Sequence, residues 1–357
     1  MKFKTKAKAT AAALALAFSL GTGFSADACS RAVYTGNDNV VITGRTMDWY
    51  NSMDTKIWVA PRGIHRTGEG EKNSVEWTSR YGSVYVTAFN SDWVDGINEK
   101  GLVVNKLYLE DSDIGTPGDK PQLNINGWVQ YILDNYSSVA DAVEGLSKEP
   151  FRLVPSGTVS PATLHLSLSD PTGDNAIIEY IKGELKIYHS RDYKVMTNEP
   201  SFDQQLAIQR HWAIKGENSI PGSSDSADRF ARLTYLLNQL PADLKSDIAP
   251  LIQDGKLETQ ALYGIMSIMR GISEPIPFAT ASPNNASTLW RTYYDHKNMK
   301  MYFEGVNSLH LQSIDLSQFD FSEGSPVLML AVEAQKGLPE DVTHLFRPEK
   351  ELSYRGK

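Results

Sequence analysis

The spacing of apolar positions changes several times along the chain, and each change marks a structural element. Residues 40–49, 56–60, 75–89 and 102–109 are runs rich in β-branched and aromatic side chains, the pattern of strands. Clusters of Gly, Asn and Asp at 35–38 and of Gly, Asn, Glu and Lys at 96–101 predict the turns between them. From 126 to 146 the period becomes helical, with Trp128, Ile132, Leu133, Val139, Val143 and Leu146 on one face. Alternation returns at 163–168, 176–181 and 185–189, separated by turns at 170–174 and 182–184, which predicts a meander of antiparallel hairpins. A strand-to-loop passage at 193–198 leads into Glu199-Pro200.

Two more helices are predicted. Residues 226–240 carry Phe230, Leu233, Leu236, Leu237 and Leu240, and residues 257–272 carry Leu262, Ile265, Met266 and Met269. Strands at 287–295 and 300–303 flank a turn at His296-Lys297-Asn298. No fixed-period repeat, low-complexity tract or linker interrupts this order. Strands, helices and strands again imply an α+β fold, with helices stacked on antiparallel sheets in one domain over residues 29–357.

The first 28 residues follow another logic. Lys2, Lys4, Lys6 and Lys8 form a positive segment, residues 11–18 a short apolar one, and Ala26-Asp27-Ala28 a small-residue cleavage site. Together they predict a secretory signal peptide cut after Ala28. The apolar run is shorter than the ~20 residues that span a bilayer, and no later segment replaces it. The formal net charge of the chain is −8, and the predicted leader, with four lysines and one aspartate, contributes +3, leaving −8 − 3 = −11. An acidic protein with no basic cluster is a poor partner for nucleic acid.

The next residue is Cys29, the only cysteine of the 357. One cysteine excludes an internal disulfide and a cysteine-based metal cluster. A lone thiol in an oxidising compartment invites damage unless it has a task. Cleavage after Ala28 gives that residue both a thiol and a free α-amine, a nucleophile and a base in one place. An α-amine titrates near ~7.7–8.0, within the range of a general base at neutral pH. Kept inside a peptide, the same nitrogen is an amide and no base. The competing use of a cysteine after a leader is lipid attachment, but Ala26 and Asp27 fit the lipoprotein signal poorly.

Other chemistry is absent from the pattern. His65, His165, His189, His211, His296, His310 and His344 are scattered and form no triad or zinc motif, and there is no phosphate-binding glycine loop. No metal or cofactor is predicted. Arg45 and Asp48, in Arg-Thr-Met-Asp-Trp at 45–49, lie on a strand that can pair antiparallel with the one starting at Cys29. An arginine there favours thiolate, and an aspartate can hold the amine.

Cys-Ser-Arg at 29–31 followed by Gly-Arg-Thr-Met-Asp-Trp at 44–49 resembles the choloylglycine hydrolase family, which holds penicillin V acylases and conjugated bile salt hydrolases. Asp-Gly-Ile-Asn-Glu-Lys-Gly-Leu at 95–102, Met-Thr-Asn-Glu-Pro-Ser-Phe at 196–202 and Ser-Ala-Asp-Arg-Phe at 226–230 extend the likeness over nearly the whole mature chain. It implies a four-layer αββα N-terminal-nucleophile hydrolase and cleavage of linear amides. By that implication Cys29 is the nucleophile, Arg45 and Arg229 flank it, and Asp48 orients the amine. Asn198 supplies an oxyanion donor, with a backbone N–H near Tyr108 as the second. Tyr108, where bile salt hydrolases tend to have Asn, resembles the penicillin V acylase side. The leader resembles the Gram-negative branch, whose members also cleave N-acyl homoserine lactones; it implies a periplasmic enzyme, and the family implies a tetramer.

An acyl pocket should be apolar. Met47, Trp49, Trp93 and Tyr108 are its candidate walls, with at least two of the four expected to be core. The expected partner is a small amide with an apolar acyl group. Bile conjugates are an alternative substrate. Two other readings differ in kind: a binding protein anchored by lipid at Cys29, and a family member without activity.

Overall fold

The computed structural model describes residues 29–353, except 71, 117, 157–162, 217–218, 277–285, 309 and 334–338. The expected leader, residues 1–28, lies outside the described residues. The first half of the chain supplies β1 (Ser30–Thr35), β2 (Val41–Trp49), β3 (Lys56–Ala60), β4 (His65–Thr67), β5 (Glu76–Thr78), β6 (Ser83–Ala88), β7 (Asp92–Asn98), β8 (Val103–Tyr108) and β9 (Gln122–Asn124), then α1 (Trp128–Asn135) and α2 (Val139–Ser147). Next come β10 (Arg152–Val154), β11 (Leu164–Ser169), β12 (Asn175–Ile181), β13 (Glu184–His189) and β14 (Val195–Met196), followed by α3 (Phe202–Lys215), α4 (Ser226–Asn238) and α5 (Leu257–Ile272). The chain returns to strands in β15 (Ser287–Asp295), β16 (Lys300–Gly305), β17 (Gln312–Asp315), β18 (Leu328–Ala331) and β19 (Arg347–Pro348).

Two large antiparallel sheets carry the architecture. One has six strands in the order β14-β1-β2-β15-β16-β17, the other nine in the order β13-β12-β11-β8-β7-β6-β3-β18-β19. Helices α4 and α5 cover the six-stranded sheet and α3 packs on α4, while α1 lies on β7 and β8 and α2 on β12 and β13. The layers therefore run helix, sheet, sheet, helix. Strands of the larger sheet alternate between two cores. Ile57, Val59, Val84 and Val86 join the core between the sheets, whereas Trp58, Ala60 and Tyr85 join the core under α1 and α2. Both faces are buried, so these strands read as continuous apolar runs.

Glycine marks two close approaches. A Cβ on Gly44 would lie 2.5 Å from Ile265 and 2.9 Å from Met269 of α5, so glycine lets that helix settle on the sheet beside Arg45. A Cβ on Gly96 would lie 2.7 Å from Leu133 of α1. Gly96 is thus part of strand β7 and not of the predicted turn at 96–101. Asn98 donates from Nδ2 to the carbonyls of Leu133 (2.9 Å) and Tyr136 (2.8 Å), satisfying acceptors at the end of α1.

Several predicted elements are divided or were unread. The single helix at 126–146 is a 3₁₀ turn (Ile125–Gly127) and two helices, because Ser138 caps the second by accepting from the Asp141 N–H at 3.2 Å. The apolar period runs on through the break and conceals it. The run at 75–89 is likewise two strands, β5 pairing with β4 in a separate ribbon and β6 entering the large sheet. Helix α3 shows no apolar stripe: of its described side chains only Phe202 and Gln205 are fully buried, and residues such as Ile214 are exposed. The strands β17 and β18 are short and half-buried and β19 is two exposed residues, and their pattern is too brief to read.

Candidate active site

Cys29 immediately precedes β1, which is held on both sides. On one side β2 pairs with it, Ser30 opposite Thr46 and Arg31 opposite Arg45; on the other β14 pairs with it, Arg31 opposite Met196. Continuing both registers sets Cys29 between Met47 and Asn198. Alternation along β2 then sorts the motif of residues 44–49. Gly44 meets the helical layer, whereas Arg45 and Met47 point between the sheets. The Cys29 thiol is 3% exposed. Its Sγ lies 3.5 Å from the Asp48 backbone N–H, which donates to it, 3.9 Å from Met47 Sδ and 4.0 Å from Arg45 Nη2.

Arg45 is fully buried and heavily constrained. Nη2 donates to the Lys106 carbonyl at 2.9 Å and approaches Met47 Sδ at 3.5 Å. Its guanidinium sits 4.7 Å above the Trp290 ring. Nη1 is 3.7 Å from Asp95 Oδ2. That carboxylate accepts from Thr292 (2.5 Å), Tyr294 (2.9 Å) and Asn105 (2.5 Å), so it ties the two sheets together and supplies the counter-charge. Burial pushes the Asp95 carboxyl up, against the pull of Arg45 and its three donors.

Asp48 turns toward the helical side. Thr46 Oγ1 donates to its Oδ2 at 3.1 Å and accepts from the Ser30 N–H at 3.0 Å. Its Oδ1 is buried, with the Thr288 hydroxyl beside the carboxylate. Burial pushes its carboxyl up to about 6, opposed chiefly by the Arg229 guanidinium.

Arg229 joins the parts. From the second turn's edge of α4 it donates to the Cys29 carbonyl (2.8 Å), Ser30 Oγ (2.6 Å), Asn198 Oδ1 (3.0 Å) and the Ser224 carbonyl (2.9 Å). Thr197 Oγ1 donates to the Ser226 carbonyl at 3.0 Å, which docks the start of α4 on this loop. Asn198 Nδ2 donates to the Tyr108 carbonyl at 3.0 Å. Gln205 of α3, unread in the sequence, donates to the Asn198 and Pro200 carbonyls at 2.6 and 2.8 Å. A polar helix thereby fixes the Asn198 loop.

The backbone of β8 contributes as well. The Leu109 N–H bonds to the Thr163 carbonyl, at 3.0 Å. In an antiparallel ladder the next residue back points its N–H and C=O to the opposite side. The carbonyls of Lys106 and Tyr108 obey this, since Arg45 and Asn198 take them, and the Tyr108 N–H lies on that same side.

A cleft with an empty volume of ≈ 600 Å³, its open mouth included, leads to the thiol. Cys29, Arg45, Met47, Trp49, Met53, Phe89, Asp92, Val94, Lys106, Leu107, Tyr108, Asn126 and Leu164 line it. Of the four predicted walls, Met47, Trp49 and Tyr108 are present. Trp93 is not: it is fully buried in the other core, 5.9 Å from the Tyr85 ring under α1. Its neighbours Asp92 and Val94 face the cleft, and the period of two sends Trp93 the opposite way. The sequence reading missed Met53, Phe89, Asp92, Lys106 and Asn126, which come from four separated segments. No histidine lines the cleft, and among the described residues no group of three His, Cys, Asp or Glu side chains could hold a metal. No helix among them is long and apolar enough to cross a membrane.

A thiol beside a buried arginine, an aspartate at the same strand end and an asparagine across from it suit acyl transfer from an amide. Comparison with known proteins agrees. Residues 29–329 match the model of the linear amide C–N hydrolases, choloylglycine hydrolase family, a match that begins at Cys29. The chain is 41% identical over 321 residues to a penicillin V acylase of Pectobacterium atrosepticum, covering 85% of this chain and 84% of the relative. The solved penicillin V acylase of Agrobacterium tumefaciens superposes with a TM-score of 0.82 at 38% identity, over 92% of this chain and all of that one. A conjugated bile acid hydrolase of Clostridium perfringens shares the fold, with a TM-score of 0.68 at 20% identity over 85% of this chain and 96% of that one. With its N-terminal-nucleophile architecture, this chain is a member of the choloylglycine hydrolase family, a hydrolase of carbon–nitrogen bonds in linear, non-peptide amides.

Proposed function

We propose that the protein is exported, loses residues 1–28, and hydrolyses amides of apolar acyl groups through a thioester on Cys29. Phenoxyacetyl amides such as penicillin V and N-acyl homoserine lactones are the expected substrates. The observation that carries this is the Cys29 thiol at the floor of an apolar cleft, 4.0 Å from Arg45, at the first residue of the family match. Two relatives at 38% and 41% identity are penicillin V acylases.

In this scheme the α-amine of Cys29 takes the thiol proton, and Arg45 favours the thiolate so formed. Sulfur attacks the amide carbon. The oxyanion receives the second hydrogen of Asn198 Nδ2, whose first is held by the Tyr108 carbonyl, together with the Tyr108 N–H. The resulting ammonium returns its proton to the leaving nitrogen, and the amine departs. Water, deprotonated by the same α-amine, then splits the thioester. The buried Asp48 carboxylate, with the Thr46 and Thr288 hydroxyls beside it, is the acceptor suited to the ammonium. A lipid anchor at Cys29 is disfavoured, since its thiol is enclosed beside Met47 and Arg45.

Purified mature protein should begin at Cys29 by intact mass. It should hydrolyse penicillin V and a long-chain acyl homoserine lactone faster than glycocholate. Cys29→Ala should be folded and inactive; turnover surviving in that variant refutes the mechanism. Periplasmic location and tetrameric assembly complete the proposal, the latter tested by sedimentation of the mature protein.

A further inference from the structure

Among the polar groups that line the cleft, the hydrolytic scheme leaves Asn126 and an ion pair between Lys106 and Asp92 unused, and the pair carries the charge. Its position follows from an irregularity in the sheet. Strands β7 and β8 pair from Ile97↔Val103 to Asp95↔Asn105 and no further. Beyond that point β7 is bulged: Val86 of β6 faces Asp95, yet Thr87 faces Trp93, leaving Val94 as an extra residue. The bulge turns Asp92 and Val94 into the cleft and parts β7 from β8. Lys106 fills the gap. Its carbonyl receives Arg45 Nη2, and its side chain, 1% exposed, meets the Asp92 carboxylate.

The chemistry of the pair is unbalanced. An ammonium has three N–H donors and no acceptor. One is taken by Asp92 Oδ1, and the other two have no partner among the described residues. Burial pushes the Lys106 ammonium down and the Asp92 carboxyl up, while their mutual attraction opposes both shifts. A purely apolar acyl group in this cleft would cover those donors and answer none of them, a costly arrangement. A ligand with an oxygen at that point would answer one.

We propose that Lys106, held by Asp92, is a specificity-determining residue that selects acyl groups bearing a hydrogen-bond acceptor, an ether, oxo or hydroxyl oxygen, over plain hydrocarbon acyl groups of the same shape. The inference rests on the amidase reading above and adds to it a polar contact on the acyl side. The residue takes no part in bond breaking; its contact is with the bound acyl chain.

The test compares two amides of one amine, phenoxyacetyl and 3-phenylpropanoyl, which differ by an ether oxygen in place of a methylene. A hydrogen bond to a charged donor corresponds to roughly ten-fold or more in kcat/KM. The wild-type enzyme should prefer the phenoxyacetyl amide by at least that factor. In Lys106→Met/Asp92→Leu, which removes both charges and keeps the branched side-chain shape, the preference should fall about ten-fold, to the remainder set by inductive activation of the carbonyl by the ether oxygen, whatever the absolute rates. Lys106→Met alone serves if the double variant does not accumulate. A merely structural pair would lower both rates together and leave the ratio unchanged. Equal rates in the wild type, or a ratio that survives the substitutions, overturn the inference while leaving the amidase reading intact. Failure of the wild type to cleave either amide overturns the amidase reading instead.

Discussion

Replacing Asn198 with alanine separates the catalytic from the structural work of one side chain. The amide makes two bonds of known geometry, Nδ2 to the Tyr108 carbonyl at 3.0 Å and Oδ1 from Arg229 at 3.0 Å. The first is a neutral bond of roughly 0.5–1.5 kcal/mol and the second a charged one of roughly 1.5–3 kcal/mol. Their loss should lower stability by about 2–4 kcal/mol, less than the ~5–15 kcal/mol that holds a typical native state together. The variant should therefore remain folded in mild conditions, because the loop keeps the Gln205 bonds to the Asn198 and Pro200 carbonyls, which are backbone groups. Catalysis should suffer more. Loss of one oxyanion donor typically costs ~10²–10³ in kcat. The assay is steady-state hydrolysis of penicillin V alongside urea denaturation of the same preparation. The expected result is kcat down by about two to three orders of magnitude, KM changed by less than about five-fold, and a folded baseline at zero urea. A kcat within three-fold of wild type in a folded variant would remove Asn198 from the mechanism.

Two further outcomes follow from the placement of side chains. Trp49→Ala should raise KM for apolar acyl substrates through lost cleft wall, whereas Trp93→Phe should lower the urea midpoint and leave KM unchanged, as its ring lies in the other core; a KM effect from Trp93→Phe would contradict that placement. The pH dependence of kcat/KM should show an acid limb. Asp48 must be ionised to hold an ammonium, and burial raises its carboxyl to about 6, so activity should decline as pH falls through that value and the carboxylate is lost. Rates that stay flat from pH 7.5 to 5 would exclude that role for the carboxylate.

Much of the site was legible because its chemistry is local in sequence. A predicted cleavage signal abutting the only cysteine, with Arg45 and Asp48 one hairpin away, is what leads to the proposed amine-assisted thiol. The pairing Ser30↔Thr46 brings them together through short-range geometry alone. The large strands and helices α4 and α5 were legible for a similar reason, since an amphipathic or doubly buried element writes its period into the sequence. Helix α3 did not, because it buries little; its function is to hold the Asn198 loop through Gln205, a tertiary contact that no period announces.

The acyl side of the site belongs to the tertiary structure. Met53, Phe89, Asp92, Lys106 and Asn126 come from separate segments that meet through the packing of the sheets, and the bulge in β7 reverses which of its residues face the cleft. Trp93 shows the cost of reading side chains without that register: one residue from the cleft in sequence, it lies on the opposite face of the sheet. The sequence alone determined the proposed reacting groups, since these depend on residue identity and near neighbours. Which side chains surround the substrate depended on strand pairing over long separations, and that was decided only when the two sheets packed together.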